Sequence, residues 1–215
     1  MIKKPGRLSF TRKEWELVRK LQTPAKVQRF LTRMPYNWET EGGTLRSFRE
    51  VVRKNEVHCL EASVSAATIL EQHGYPPLLM DLESQDLLDH VLFIFQQNKL
   101  WGSVARSRDI GLHGRKPVFR TIRDLVWSYF DPYVDFTGRI KGYGVMSLYE
   151  LGDYDWRFSE RKMNKIEDHL RNMPHRSIRS SDLRYKKLLE RYQNYKKRFP
   201  NRSPAYYDNR SQWML

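Results

Sequence analysis

The stretch HCLEASVSAATILEQHGYPP, residues 58–77, constrains the chain more than any other. Its spacing predicts a helix from Cys59 to about Gln72. Cys59, Ser63, Ala66 and Leu70 fall on one face, and Glu61, Ser65, Thr68 and Gln72 on another. Gly74 suits a left-handed helix end, and the prolines behind it forbid continuation. Three strand-like runs follow: PLLMDL (77–82), HVLFIF (90–95) and KLWGSVA (99–105). The last two are separated by QQN and read as a β-hairpin, which sets His90 opposite Ala105 if it is symmetric about Gln97 and Asn98.

Helical signals surround this unit. Thr11 and Glu14 have capping-box spacing ahead of Val18 and Leu21, and Pro24 opens a second helix carrying Val27, Phe30 and Leu31. MPYNWETEGGT reads as a loop. Val118, Ile122, Leu125 and Tyr129 give residues 117–130 a helical reading, FTGRIKGYGV reads as turn-forming, and SERKMNKIEDHL as a short capped helix. A last helix spans 181–199, with Leu188, Tyr192, Tyr195 and Phe199 on one side and Lys187, Arg191 and Arg198 on the other. The order implies an α+β fold, a Cys-headed helix packed on a small antiparallel sheet with helices at both ends. Three regions are expected: N-terminal helices (1–50), a core (51–158) and a basic helical extension (159–215).

Charge is concentrated in the last of these. Residues 161–215 hold 15 Lys/Arg against 5 Asp/Glu, and the first 160 residues hold 24 against 20. That asymmetry points to an acidic protein or a nucleic acid as partner of the C-terminal helix. Lys187, Arg191 and Arg198, interleaved with Tyr185, Tyr192, Tyr195, Tyr206 and Tyr207, suit a phosphate backbone and its bases. The alternative is that the tyrosines pack on the core and the basic side is wet. The final SQWML is apolar enough to dock on a surface.

The only cysteine, Cys59, excludes an intramolecular disulfide and a Cys-based zinc site, and agrees with a reducing compartment. His73, His113, His169 and His175 have no metal-ligand spacing. No apolar run is long enough to span a membrane, and the N-terminus lacks a signal-peptide core. The expectation is a cytoplasmic protein without cofactor, metal or membrane partner.

On its own a lone cysteine is most often a core residue. At a helix N-terminus, however, the dipole and unpaired N–H groups favour the thiolate, and those groups can hold an oxyanion. A thiolate nucleophile needs a base, usually histidine. His58 precedes the helix, so its side chain is expected to point elsewhere. His90 opens a strand over which the helix can pack, and is the preferred partner.

HCLEASVSAATILEQHGYPP, DHVLFIF and LWGSV together resemble the transglutaminase-like (papain-like) superfamily of cysteine enzymes. A wider set (MPYNWE, TLRSFR, HCLEA, DHVLF, WGSVARS and MPH, across residues 30–178) resembles a group of bacterial transglutaminase-like proteins. The resemblance implies that Cys59 is the nucleophile, Gly74-Tyr75-Pro76 the helix-ending turn, and His90 the general base. Trp101 corresponds to the tryptophan of the neighbouring strand. Family members carry an Asp four residues past that tryptophan to orient the imidazole, and here the position is Ala105. Ser103, on the same strand face, and Asp109, just past the strand, are the candidate replacements, while Asp89 lies on the opposite face.

The implied activity is amide-bond hydrolysis or acyl transfer on a protein or peptide substrate through a thioester. The alternative is a catalytically degraded module that serves in binding or assembly. Trp101 is either core or a substrate-facing ring. Arg106, Arg108 and Arg115 form either a solvated loop or a rim for an acidic partner.

Overall fold

The computed structural model describes residues 4–204 and 207–215; Tyr206 lies outside them. The fold is α+β. Four consecutive strands, β1 (Leu78–Ser84), β2 (His90–Gln97), β3 (Leu100–Val104) and β4 (Arg115–Phe119), form an antiparallel meander. β5 (Ile140–Ser147) pairs along the other edge of β1, and β6 (Arg176–Ser177) pairs with β5. The sheet order is β4-β3-β2-β1-β5-β6, so β1 and β2 are central.

Both faces of this sheet are covered. Leu79, Val91, Phe93 and Phe95 face α4 (Cys59–Glu71), which meets them with Ala62, Ala66, Ala67 and Leu70. Behind α4 lie α1 (Arg12–Lys20), α2 (Pro24–Arg33) and α3 (Phe48–Lys54), whose Val18, Leu31 and Val51 join the same core. Met80, Leu82, Leu92 and Ile94 point the other way, onto Leu125, Tyr129 and Phe130 of α5 (Ile122–Tyr133). Residues alternate between the faces with period two, and both sets are buried, which is why β2 reads as an unbroken apolar run. α6 (Asn164–Asn172) adds Ile166 and Leu170 to the α4 core. α7 (Asp182–Arg198) lays Tyr185, Leu188 and Leu189 against the α5 layer, with no residue fully buried.

Several sequence expectations are corrected. The sheet has six strands rather than three. The glycine-rich run FTGRIKGYGV is not a turn but leads into β5. Its glycines are sites of close approach. A Cβ on Gly144 would lie 2.5 Å from Met173 Cε, and one on Gly142 would lie 2.6 Å from Glu83 Oε2. Residues 117–130 are not one helix. Thr121 accepts from Asp124 N and Asp124 caps Thr121 N, so this capping box starts α5 and leaves the preceding residues in β4. α4 also packs against α1–α3, and Glu61, Ser65 and Thr68 on its second face are buried too.

Buried charge on α4 is paired. Glu71 accepts from Arg157 through both carboxylate oxygens, at 2.8 and 2.5 Å, and from Tyr149 Oη at 2.6 Å. At the C-terminus α8 (Arg210–Trp213) brings Met214 into a bridge with Arg115, and Leu215 N donates to Gly114 O at 3.1 Å. The apolar end docks on the edge of β4. Among the described residues, no helix is long and apolar enough to cross a membrane.

Candidate active site

Cys59 is the first residue of α4, half-buried, with the helix start built around it. His58 is the N-cap: its extended backbone turns into the helix, and its Nδ1 accepts from Leu60 N at 3.3 Å. Glu61 closes the capping box by accepting from His58 N at 3.2 Å. Glu61 is fully buried and also accepts from Thr44 Oγ1 (2.6 Å), Arg46 N (3.0 Å) and Asn37 Nδ2 (3.2 Å). One carboxylate therefore anchors the 37–46 loop to the head of α4.

His90 opens β2 and is 4% exposed. Its Nε2 lies 3.0 Å from Leu112 O, in a 3-10 turn spanning Ile110–Leu112. A carbonyl only accepts, so Nε2 carries a proton and Nδ1 is the ring nitrogen left to take one from the thiol. Burial pushes the Cys59 thiol up, but hydrogen bonds to His58 and His90 and the charges of both rings outweigh it, holding the thiol well below its ordinary value. For His58, burial works against the charged ring. The Cys59 thiolate, Glu61 and Glu39 overcome that and raise it to about 9. The cap to Leu60 N needs the neutral ring, so the protonation that supports the thiolate weakens the start of α4.

Two cavities, about 280 and 840 Å³, meet at the thiol and share Glu39, His58, Cys59, Leu88 and Asp89. Tyr36 lines the smaller one. Burial, followed by the Cys59 charge, pushes its phenol up to about 12, so Tyr36 keeps its proton beside the thiol.

The hairpin turn is Asn98–Lys99, both with positive φ, and Gln97 pairs with Leu100. The register expected from the sequence, with His90 opposite Ala105, is therefore off by two residues. Ser103 lies opposite Ile94, fully buried, sharing a 2.7 Å hydrogen bond with Tyr129 Oη and accepting from Arg115 N at 3.0 Å. It is corrected from an orienting residue to a link between sheet and α5. Asp109 does fold back to line the smaller cavity, but it accepts from Ser203 Oγ at 3.0 Å, and Leu112 O takes the expected place beside His90. Asp89 is not turned away from the site. It lines both cavities and accepts from Ser84 N at 2.8 Å.

The expected binding residues divide. Arg108 is exposed at the cavity wall. Arg106 is internal, donating to Ser107 O and to Met34 O (3.3 Å), with its guanidinium over the Tyr36 ring. Arg115 is fully buried, against the expectation of a rim. It donates to His113 O (2.6 Å), Gly111 O (2.7 Å) and Ser128 O (3.1 Å) between the rings of Tyr129 and Trp213. Burial lowers it to about 10. Trp101 packs with the α5-face core rather than in a cavity. Lys187, Arg191 and Arg198 lie exposed on α7, away from the thiol's cavities.

Sequence reasoning set His58 aside as pointing elsewhere, whereas it lines both cavities with Cys59, and it missed Glu61, Tyr36 and the Leu112 carbonyl. The H-x-x-E spacing at 58–61 is a capping-box signal, obscured because histidine replaces the usual Ser or Thr. Among the described residues, no group of three His, Cys, Asp or Glu side chains is placed to hold a metal ion. No protein-family model matches the chain, and no curated protein matches it.

Proposed function

We propose that the chain is a cysteine-dependent amide hydrolase or acyltransferase with a transglutaminase-like core, acting on a protein or peptide in a reducing compartment such as the cytoplasm. The observation carrying this reading is a half-buried thiol at a helix N-terminus, lowered by His90, whose far nitrogen is fixed on Leu112 O. The Cys59 thiolate attacks the substrate carbonyl carbon while His90 holds the proton. The tetrahedral oxyanion lies near the N–H groups at the start of α4, with the Tyr36 phenol a further donor in the same cavity. Collapse breaks the C–N bond, and the His90 proton goes to the leaving amine. The thioester is then cleared by water or by an amine, His90 taking the incoming proton.

The test is the pH-dependent rate of iodoacetamide labelling of Cys59 in the wild type and in His90→Ala. Fast labelling below pH 7 that slows in the variant supports the pair. Slow labelling until pH passes about 8.5, the unperturbed thiol value, with no effect of His90→Ala, removes the enzyme reading.

A second reading rests on α7, which is basic and buries no residue. As a binding module it would engage nucleic acid, or failing that an acidic protein. Affinity for nucleic acid would fall steeply with salt, with a shallower slope in Lys187→Gln/Arg198→Gln.

A further inference from the structure

The chain carries a formal charge of +14, yet the cleft at its nucleophile is anionic. The smaller cavity is lined by Glu39, Asp86, Asp89, Asp109 and Asp135, against Arg108 as its only lysine or arginine among the described residues. The larger adds Asp81, Glu83 and Glu167, against Lys162 and Arg171. Arg171 is committed to Glu167 at 2.7 Å, and Lys162 donates to Gly43 O.

In the smaller cavity the carboxylates are held in place by neutral donors, whereas in the larger one Asp81 is bonded to His175 and Glu167 to Arg171. Asp135 accepts from Thr137 N and Gly138 N, Asp109 from Ser203 Oγ, Asp89 from Ser84 N, and Glu39 from Thr44 N. Asp86 accepts from Ser84 Oγ, Thr137 Oγ1 and Leu88 N. Hydrogen bonds of this kind fix a carboxylate's position without cancelling its charge, so the wall keeps its field for a ligand.

A separate observation marks the same place as a ligand site. His58 is 7% exposed and lines both cavities; its buried Nε2 makes no hydrogen bond, lying 3.5 Å from Glu61 Oε1 and 3.6 Å from Glu39 Oε1 at the junction. A buried donor left unmade costs about 1–3 kcal/mol, which an acceptor such as a peptide carbonyl recovers.

We propose that the cleft takes a basic peptide segment, with lysine or arginine on both sides of the amide that meets Cys59. The ammonium or guanidinium groups lie along the carboxylates of the two cavities, and the backbone between them crosses the thiol. This rests on the cysteine-enzyme reading above and specifies its substrate class. It also assigns specificity to residues outside the chemistry: Glu39, Asp109 and Asp135 select charge.

The experiment uses the full chain and three methanethiosulfonates: trimethylammonium-ethyl and sulfonatoethyl, of similar size, and the smaller neutral methyl. Rates of Cys59 modification are divided by those of a free cysteine amide, at about 20 mM and 500 mM salt. The expected result is a cation-to-anion rate ratio at least about tenfold above that of the free thiol, collapsing at high salt. It should fall severalfold in Asp109→Asn/Asp135→Asn, which preserve the hydrogen bonds. In addition, an acetylated Lys-Lys-Gln-Lys-Lys amide should protect Cys59 from the neutral reagent, and its glutamate counterpart should not. A ratio equal to that of the free thiol, or one favouring the anion as a +14 chain would by itself, overturns the proposal. The neutral reagent's pH profile reports on the Cys–His pair alone, so failure of the dyad and failure of the anionic cleft are read separately.

Discussion

His58 is both a helix cap and a thiol partner, and His58→Asn separates the two roles. Asparagine is a strong N-cap, so this variant should stay within about 0.5 kcal/mol of wild type, whereas His58→Ala should lose about 1 kcal/mol. For a chain of this size that is a Tm difference of about 2–4 °C. The effect on the thiol is larger. An opposite charge within contact range shifts a pKa by about 1–3 units, and two rings share the stabilisation of Cys59. Removing one should raise the thiol and slow alkylation about tenfold or more at a pH below both midpoints. His58→Asn/His90→Ala should return the thiol to its ordinary range near about 8.5.

The linkage has a definite sign. His58 is raised from 6.5 to about 9, so its contribution to stability is complete below 6.5 and is lost as pH rises through about 9. The thiol is lowered, so its contribution is present above its ordinary value and is lost as pH falls through its value in the fold. In His58→Asn the alkaline loss near pH 9 should disappear. The assay is mass spectrometry of the Cys59 peptide after timed iodoacetamide exposure from pH 4.5 to 9.5, with Tm recorded in parallel. An unchanged labelling midpoint in His58→Asn, with the whole shift lost in His90→Ala, would refute the shared role.

Glu71→Ala strands the Arg157 guanidinium in the core and should cost about 3–5 kcal/mol, a Tm loss of about 6–20 °C by calorimetry. Trp213→Ala removes one of the two rings sandwiching buried Arg115 and should cost up to about 2 kcal/mol, with faster amide exchange at Leu215. Asp81 is raised to about 7 by burial and then by Asp89, against its bond to His175, so the fold binds its proton more tightly than the unfolded chain. Its contribution is complete below the ordinary 3.8 and lost as pH rises through about 7. Asp81→Asn should therefore gain Tm relative to wild type at pH 8 compared with pH 4, and the opposite trend would contradict this reading.

What was legible in the sequence was whatever a local pattern records. The helix headed by Cys59, ended at Gly74, and the strands on either side of the 98–99 turn all follow from side-chain periodicity and turn residues. β5 was not legible, because its Gly142 and Gly144 carry the local signal of a turn. Their reason lies in Met173, Glu83 and His175, distant in sequence, which occupy the space a Cβ would need. α3 was missed for a related reason: it is a seven-residue helix, too short to show periodicity, although Ser47 caps it by accepting from Glu50 N. The burial of Arg115 was equally invisible, since its partners are carbonyls and two rings rather than any acidic residue a charge pattern could reveal.

The missing third member of the site follows the same logic, with a chemical consequence. Motif reasoning searches for a carboxylate and finds Ala105, because a motif registers side chains only. In the fold, a backbone carbonyl held by a 3-10 turn presents itself to His90 Nε2. That carbonyl performs the geometric half of a carboxylate's work, setting tautomer and ring orientation. It performs little of the electrostatic half, since a dipole stabilises imidazolium less than a full charge does. The thiolate draws on the second imidazole at His58 as well as on His90. A site arranged this way depends on two histidines sharing one thiolate. Loss of either should therefore leave partial thiolate character, where a carboxylate-backed dyad would lose nearly all of it with its single base.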